Sequence, residues 1–301
     1  MKKDIIHIGA HKTATTSFQK NLFINTKKIG YLGQHCLENK EVHFAIDSLI
    51  NDDDYDYKKV ILQKKIESIK KENIDQFIFS NEDIATSRFL SQSAKRLKDL
   101  MPNSTIVLSV RNQFSALQSW YISHGSKLKL VPRSYWNKFV NCNDWFKYIF
   151  EFSRLSTTPH QISPLEAMNY KKIYDVFSLY FGEENVKILV YENLFFNKEK
   201  FFNDWSNLIG IDSKKIEQVL NNSKIERLRE TQLHFNLRKI LNFFSFSGNF
   251  ERSLKTFNFG KKASVKIKDD ELKKIKDYFG EGNNYLDKKL NLELDKFGYP
   301  L

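Results

Sequence analysis

The first nineteen residues restrict the fold of this chain more than any other segment. A short apolar run at 4–8 leads into a loop with Gly9, Lys12 and several threonines, and a helix is predicted to begin near residue 15. Backbone N–H groups at such a helix N-terminus point at an anion, the helix dipole favours negative charge, and a lysine adds a counter-charge. The segment therefore predicts a strand, a phosphate-binding loop and a helix. It departs from the ATPase pattern G-x-x-x-x-G-K-[ST], because Lys12 follows Gly9 by three residues and Ala14 stands where a second glycine would be expected.

Two further strand-like runs end in residues suited to the same site. The run 103–110 is rich in β-branched residues and ends at Arg111, and Ser119 follows eight residues later on a predicted helix. The run 75–80 is followed by polar residues that include Glu82. Ligands of open parallel sheets collect outside the carboxyl ends of the strands. The loop, Glu82 and Arg111 are therefore expected to line one crevice.

Strand-like runs alternate with helical patterns along the whole chain, and this alternation predicts an α/β fold. The expected architecture is a P-loop-like three-layer αβα domain with a central, mostly parallel sheet of about four to five strands. The predicted strands are 4–8, 76–80, 103–110 and 185–191. The predicted helices are 15–25, 57–71, 91–100, 113–127, 170–181, 198–209, 215–220 and 227–243, with two more in the tail after residue 269.

The domain organisation is predicted to be simple. No Pro/Gly/Ser-rich linker divides the chain, so residues 1–301 are expected to form a single domain. Residues 127–164 contain three prolines and weak periodicity, which predicts an irregular insertion over the sheet edge where a substrate could be contacted. Residues 30–56 are mixed, with an acidic loop at 51–54, and the C-terminal part, 197–301, is predicted to be helical.

Composition bounds the class of protein without naming a function. The formal net charge of +12 suits a nucleic acid, an anionic lipid or an acidic substrate alike, and no nucleic-acid-reading motif accompanies it. The two cysteines are isolated and lack zinc spacing, which indicates a reducing compartment and no disulfide framework. No apolar run approaches the roughly 18 residues of a membrane span. The sequence thus predicts a cytoplasmic protein without a transmembrane segment, and it leaves peripheral membrane contact and oligomeric state open.

The loop and the Arg111 region together resemble those of PAPS-dependent sulfotransferases, where PAPS is 3′-phosphoadenosine 5′-phosphosulfate. The pattern is closest to bacterial and carbohydrate-type members. Members carry K-x-G-T-T or a close variant after the first strand, and residues 12–16 read K-T-A-T-T, with an alanine that fits if its φ is negative. An Arg at a strand end with a Ser eight residues later is similar to the family's 3′-phosphate site, and 185–194 resembles its strand G-x-x-N-V…Y-E-x-L. The resemblance assigns cofactor binding to Gly9, His11, Lys12, Thr13, Ala14, Thr15, Thr16, Ser17, Arg111, Ser119 and, from a late basic loop, Lys261.

The resemblance implies a reaction as well as a fold. The sulfuryl group of PAPS would move to a hydroxyl or amine acceptor in one in-line displacement, leaving 3′,5′-ADP. Lys12 would stabilise charge on the leaving group, and Glu82, placed like the base of several carbohydrate-modifying members, would take the acceptor proton. No metal and no nucleic-acid partner are expected. The likeness of Glu82 to the base of carbohydrate-type members favours a carbohydrate or glycolipid acceptor, and small alcohols and phenols stay open as acceptors.

Several alternatives stay open at this point. An ATP-dependent P-loop kinase would need magnesium ligands and a G-K-[ST] lysine, and a non-catalytic protein would use the basic surface to bind polyanions. Asp83 or a histidine such as His124 is the alternative base. His7, Trp120 and Tyr121 are expected to be core residues, and the sequence does not identify the residue that stacks on adenine.

Overall fold

The computed structural model describes residues 2–50, 55–123, 140–151, 162–222, 230–243 and 260–301. Within them the strands are β1 (Ile5–Gly9), β2 (Ile29–Gly33), β3 (Gln76–Ser80), β4 (Thr105–Val110) and β5 (Val186–Val190). They form one sheet in the order β2-β3-β1-β4-β5, and every pairing is parallel. The predicted fold class is therefore confirmed, with β1 at the centre of the sheet.

The helices account for most of the remaining described residues. They are α1 (Thr15–Ser17), which continues as a π-helix (Phe18–Phe23), α2 (Lys40–Ser48), α3 (Tyr55–Lys70), α4 (Leu90–Leu100), α5 (Gln113–Ser123), α6 (Cys142–Glu151), α7 (Pro164–Ala167), α8 (Tyr170–Phe181), α9 (Asn193–Phe196), α10 (Lys198–Ile209), α11 (Ser213–Asn222), α12 (Gln232–Phe243) and α13 (Asp269–Leu290). The described residues also include 3-10 helices at Glu82–Thr86, Glu183–Asn185 and Leu294–Phe297.

Alternation of side chains along the strands produces the three layers. Successive strand residues point to opposite faces of a sheet, and in β1 the side chains of Ile6 and Ile8 enter one core cluster while Ile5 enters the other. The first cluster includes residues of α2 to α8 and α13, and the second includes residues of the π-helix, α10 and α11. Both faces of the sheet are covered, which explains why its strands read as continuous apolar runs.

The strand that sequence reasoning missed is β2, which lies at the sheet edge within the region predicted to be mixed. Its sequence has glycines at both Gly30 and Gly33, and glycine weakens a strand pattern. Both glycines have a packing reason. A Cβ atom at Gly33 would lie 2.1 Å from the carbonyl oxygen of Ser80, and one at Gly30 would lie 2.4 Å from Cγ2 of Ile69.

Two other segment predictions need correction or limits. Residues 127–164 were predicted to be an irregular insertion, but residues 142–151 form the helix α6 and bury Trp145, Phe146 and Ile149. Most of the rest of that insertion, the acidic loop at 51–54 and the start of the helix predicted at 227–243 lie outside the described residues. The tail after residue 269 contains one 22-residue helix and a 3-10 turn.

Candidate active site

The loop between β1 and α1 has the backbone of an anion site. Lys12 has φ 74° and Ala14 has φ 62°, and left-handed residues in a turn create a concave array of N–H groups that binds anions. Among the described residues no hydrogen bond takes up the N–H groups of Thr13, Ala14, Thr15 or Thr16. The negative φ under which Ala14 would fit without strain is not found, because the turn places a left-handed residue at this position.

Two residues set the path of the loop. A Cβ atom on Gly9 would lie 1.9 Å from Cγ2 of Thr15, so this position requires glycine. The Thr13 hydroxyl donates to the carbonyl oxygen of Ala10 at 2.6 Å, and the Ala10 N–H donates to the carbonyl oxygen of Ser109 at 2.9 Å. The loop is therefore closed on itself and attached to β4.

Arg111, directly after β4, connects its own strand end to the loop. Its Nη1 donates to the carbonyl oxygen of Lys12 at 2.8 Å, across 99 positions of sequence. Its Nε donates to Oγ of Ser115 at 3.0 Å, and its guanidinium carbon lies 5.2 Å from the ring centre of Tyr191. The Tyr170 hydroxyl donates to the Arg111 carbonyl oxygen at 2.7 Å. The two predicted anion-binding segments thus lie side by side.

Arg111 contacts Ser115, which lies one turn before Ser119, the serine predicted to bind the 3′-phosphate. Ser119 is half-buried in the second turn of α5, and Ser115, one turn earlier, accepts the guanidinium hydrogen bond. Sequence reasoning missed Ser115, although a serine four residues after an arginine at a helix start has the spacing for such a contact. Ser119 follows Ser115 by four residues and lies on the same side of the helix.

Glu82 begins the 3-10 helix that follows β3, and its carboxylate points towards the loop. The side chain is 7% exposed, and the Thr15 hydroxyl donates to its Oε2. Its Oε1 lies 3.7 Å from Nδ1 of His11. The Glu82 side chain thus contacts the loop directly, through His11 and Thr15.

Asp83 lies on the other side of the same histidine. Its Oδ1 is 3.6 Å from Nε2 of His11, and Gln34 donates to its Oδ2 at 2.7 Å. Burial, together with the neighbouring Glu82 charge, raises the pKa of Asp83, while His11 opposes the shift. The ring of His11 also packs edge-on against Trp120, with centroids 4.8 Å apart. His11 is thus positioned by two carboxylates and an indole.

The residues predicted to be core are core. His7 is 1% exposed, and its Nδ1 and Nε2 lie 2.9 Å and 3.1 Å from the hydroxyls of Ser80 and Ser109. Burial lowers the pKa of His7 to about 3, so its imidazole is neutral. Trp120 and Tyr121 are buried in the larger core cluster.

Thr16, Ser17 and Lys261 are the other predicted binding residues that the structure describes. Thr16 is buried and Ser17 is half-buried on α1, and the Ser17 N–H donates to the Ala14 carbonyl oxygen at 2.9 Å. Lys261 is exposed, and its carbonyl oxygen accepts the Gln232 N–H at 2.8 Å. That bond attaches the Lys261 segment to α12 and not to the loop. His124 lies outside the described residues.

A cavity of about 320 Å³ is lined by none of the predicted site residues. It is lined by residues 87–92, which follow the 3-10 helix bearing Glu82, and by Ile162, Glu166, Lys172 and Val176. In the part of the chain that the structure describes, no group of three or more His, Cys, Asp and Glu side chains is arranged to hold a metal ion. The described helices include none with the length and apolar composition needed to cross a bilayer.

A parallel sheet with an anion-binding loop after its central strand is a P-loop-like architecture. A solved structure similar to this chain is a sulfotransferase from Alicyclobacillus acidocaldarius, with 11% identity, a TM-score of 0.55 and 98% coverage of both chains. The chain therefore has the sulfotransferase fold, as the resemblance predicted.

Two further likenesses are weaker. Mouse sulfotransferase SULT7A1 complexed with PAP has 12% identity, a TM-score of 0.41, and coverage of 85% of this chain and 83% of its own. The sulfotransferase domain from the curacin biosynthetic pathway has 11% identity, a TM-score of 0.43, and coverage of 91% and 96%. No family model and no curated protein matches the chain.

Proposed function

We propose that this protein is a PAPS-dependent sulfotransferase that transfers the sulfuryl group to a hydroxyl or amine acceptor. The observation that carries the proposal is the hydrogen bond from Arg111 to the carbonyl oxygen of Lys12. It holds two cationic, anion-binding segments next to each other, as a nucleotide with phosphates at both its 5′ and 3′ positions requires. The fold shared with a bacterial sulfotransferase agrees with this function.

The 5′ end of the nucleotide would bind in the loop. The N–H groups of Thr13, Ala14, Thr15 and Thr16 would hold the 5′-phosphate, and the Lys12 ammonium would neutralise the charge that develops when the sulfur–oxygen bond breaks. Lys12 would thus stabilise the leaving group, the role that an oxyanion donor has in acyl transfer.

The 3′ end would bind at the end of β4. A guanidinium offers five N–H donors, and Arg111 uses two of them on Ser115 and Lys12, which leaves donors for a phosphate. Ser119, and Lys261 from the late basic segment, would add to this pocket. A 3′-phosphate pocket would select PAPS over ATP, which lacks that group.

Glu82 would accept the acceptor proton, with Asp83 as the alternative base. Glu82 is the more buried of the two side chains, 7% against 38% exposed, and is held directly by the loop. Asp83 has the raised pKa that burial produces, which is one property of a general base. Its Oδ1 lies 3.6 Å from Nε2 of His11, and its Oδ2 accepts a hydrogen bond from Gln34. The hydrogen bond that the Thr15 hydroxyl donates favours Glu82.

We propose that the acceptor is a carbohydrate or glycolipid hydroxyl, because a carboxylate base resembles that of carbohydrate-modifying members. The residues predicted to contact the acceptor, 127–164, lie largely outside the described part of the chain. We also propose that 1–301 form one domain, which is supported by the larger core cluster extending from Ile6 on β1 to Tyr299 in the tail.

The donor can be tested before any acceptor is known. A thermal-shift comparison of 3′,5′-ADP, PAPS, ATP and AMP is expected to show stabilisation by the two 3′-phosphorylated ligands above the other two. Lys12→Ala is then expected to lower sulfuryl transfer from PAPS by at least about a hundredfold, since loss of an oxyanion donor costs about 3 kcal/mol. The matched control is Lys27→Ala, which removes an exposed lysine from the turn after the π-helix and is expected to leave the transfer rate unchanged.

Three results would contradict the proposal. Undiminished turnover in Lys12→Ala would reject the role of the lysine. Magnesium-dependent ATP turnover without PAPS affinity would indicate a kinase. Steeply salt-dependent binding of polyanions without nucleotide binding would indicate the non-catalytic alternative.

A further inference from the structure

The Thr15 side chain is held in one orientation. It is 3% exposed, and its Cγ2 methyl group occupies the space that a Cβ atom on Gly9 would fill. The other branch, the hydroxyl, donates to Oε2 of Glu82. A β-branched side chain has few allowed χ1 angles, so packing on the methyl side directs the hydroxyl to Glu82.

That hydrogen bond limits what else the hydroxyl can do. A threonine hydroxyl has one hydrogen to donate, and a phosphate oxygen at neutral pH only accepts. While Thr15 donates to Glu82, its hydroxyl has no hydrogen for a phosphate. The Thr15 backbone N–H, which has no partner among the described residues, remains available to an anion.

We infer that Thr15 is a positioning residue for Glu82, with its hydroxyl serving the base and only its backbone N–H serving the nucleotide. This inference rests on the proposed function, in which Glu82 is the general base. The consequence is geometric: the residue that contacts the 5′-phosphate through its main chain also holds the base through its side chain. The Glu82 carboxylate would therefore be held at a constant distance from the sulfuryl group of bound PAPS, as a proton acceptor in an in-line reaction needs.

On this inference, the other carboxylate oxygen, Oε1, is left to take the acceptor proton. Oε2 is occupied by Thr15, and Oε1 lies 3.7 Å from the His11 ring. In the transfer step the acceptor O–H bond breaks and its proton moves to Oε1. The acceptor oxygen forms a bond to sulfur as the sulfur–oxygen bond to the 5′-phosphate breaks, and the electron pair stays on the phosphate of 3′,5′-ADP.

The test replaces Thr15 with a residue of similar shape and no hydroxyl. Water serves as the acceptor, so the rate of PAPS hydrolysis to 3′,5′-ADP and sulfate is measured, and the Kd of 3′,5′-ADP is measured by calorimetry. Thr15→Val is expected to lower the hydrolysis rate about 10- to 100-fold, the effect of a misplaced reacting group, with the Kd changed less than threefold. Thr15→Ser keeps the hydroxyl but loses the methyl group that orients it, so its rate is expected to fall less than that of Thr15→Val.

A double-mutant cycle separates positioning from general damage to the loop. If Thr15 acts through Glu82, Thr15→Val adds little in a Glu82→Gln background, because the base that Thr15 positions is already absent. Additive losses would overturn the inference, as would a wild-type rate in Thr15→Val or a tenfold weaker Kd for 3′,5′-ADP in that variant. The weaker Kd would mean that the hydroxyl binds phosphate.

A crystal structure of the wild-type protein with 3′,5′-ADP tests the same point without turnover or a variant. The Thr15 hydroxyl is expected to remain on Glu82, and a hydroxyl turned to the 5′-phosphate would overturn the inference. Failure of the proposed function has a different signature, since the wild-type protein would then bind neither 3′,5′-ADP nor PAPS.

Discussion

At the scale of single residues, the loop combines one obligatory glycine with one strained alanine. Gly9 has no space for a Cβ atom, whereas Ala14 has a Cβ atom in a conformation that favours glycine. A non-glycine residue in the left-handed region costs roughly 1–2 kcal/mol. The left-handed turn contributes to the concave array of N–H groups, so we interpret the strain at Ala14 as a cost of shaping the anion site.

Ala14→Gly is expected to stabilise the protein by about 1 kcal/mol, which is the strain released less the added chain entropy of the unfolded state. Urea unfolding monitored by circular dichroism would measure it. Ala94→Gly is the matched control, because Ala94 lies inside helix α4 and the same change there is expected to cost about 1 kcal/mol or more. Destabilisation by both changes would contradict the strain assigned to Ala14.

At the scale of elements, the C-terminal segment is attached to the strand ends that carry the site. The buried Glu192, which follows β5, accepts the Asn112 N–H on one oxygen at 3.0 Å and the Tyr299 hydroxyl on the other at 2.8 Å. The Asn112 side chain donates to the carbonyl oxygens of Phe297 and Gly298. Since Asn112 follows Arg111, these hydrogen bonds attach the tail to the strand end that carries the predicted 3′-phosphate pocket.

Tyr299→Phe is expected to destabilise the protein by about 1–3 kcal/mol, because it leaves a buried carboxylate oxygen of Glu192 without its donor. The measurement is the free energy of unfolding in denaturant. Tyr57→Phe makes the same change on a side chain that is 80% exposed and is expected to stay within about 0.5 kcal/mol of the wild type. Equal effects of the two substitutions would argue against the role of the Glu192 hydrogen bond.

At the scale of the whole molecule, His7 connects the three central strands. It lies on β1 and approaches serine hydroxyls on β3 and β4, and the Gln19 side chain from the π-helix donates to the same Ser80 hydroxyl at 3.0 Å. This polar cluster is buried beneath the strand ends that carry the site. The imidazole in this cluster is neutral, because burial lowers the pKa of His7 to about 3.

The stability of the fold should consequently depend on pH through His7. In the unfolded chain the pKa of His7 is near 6.5, so the imidazole is protonated below that pH. In the folded protein it stays neutral until the pH falls to about 3. This contribution is complete above about pH 6.5 and is lost as the pH falls, by about 2 kcal/mol between pH 7 and pH 5. Unfolding free energies of the wild type and His7→Gln at both pH values would measure it. The variant is expected to lose about 2 kcal/mol less over this interval, and equal losses would refute the assignment.

Local patterns along the chain were sufficient to predict the fold class, the strands β1, β3, β4 and β5, and the residues that follow them. These features depend on side-chain periodicity and on loop chemistry within a few residues, which a single segment contains. Gly9, Glu82 and Arg111 could be selected because parallel strands bring their carboxyl ends to one edge. The edge strand β2 was not predicted, because its two glycines interrupt the pattern of apolar, β-branched residues that is typical of a strand.

Contacts between distant segments were decided only by the tertiary structure. The Thr15 hydroxyl meets Glu82 across 67 positions, and Arg111 meets the Lys12 carbonyl across 99. Which oxygen meets which donor depends on strand order and register, and a register shift of one residue reverses the face of every side chain. The positive φ of Ala14 likewise follows from closing the loop against β4, which no local propensity encodes. The types of residue at the site could be read in advance, but their pairing is a property of the assembled sheet.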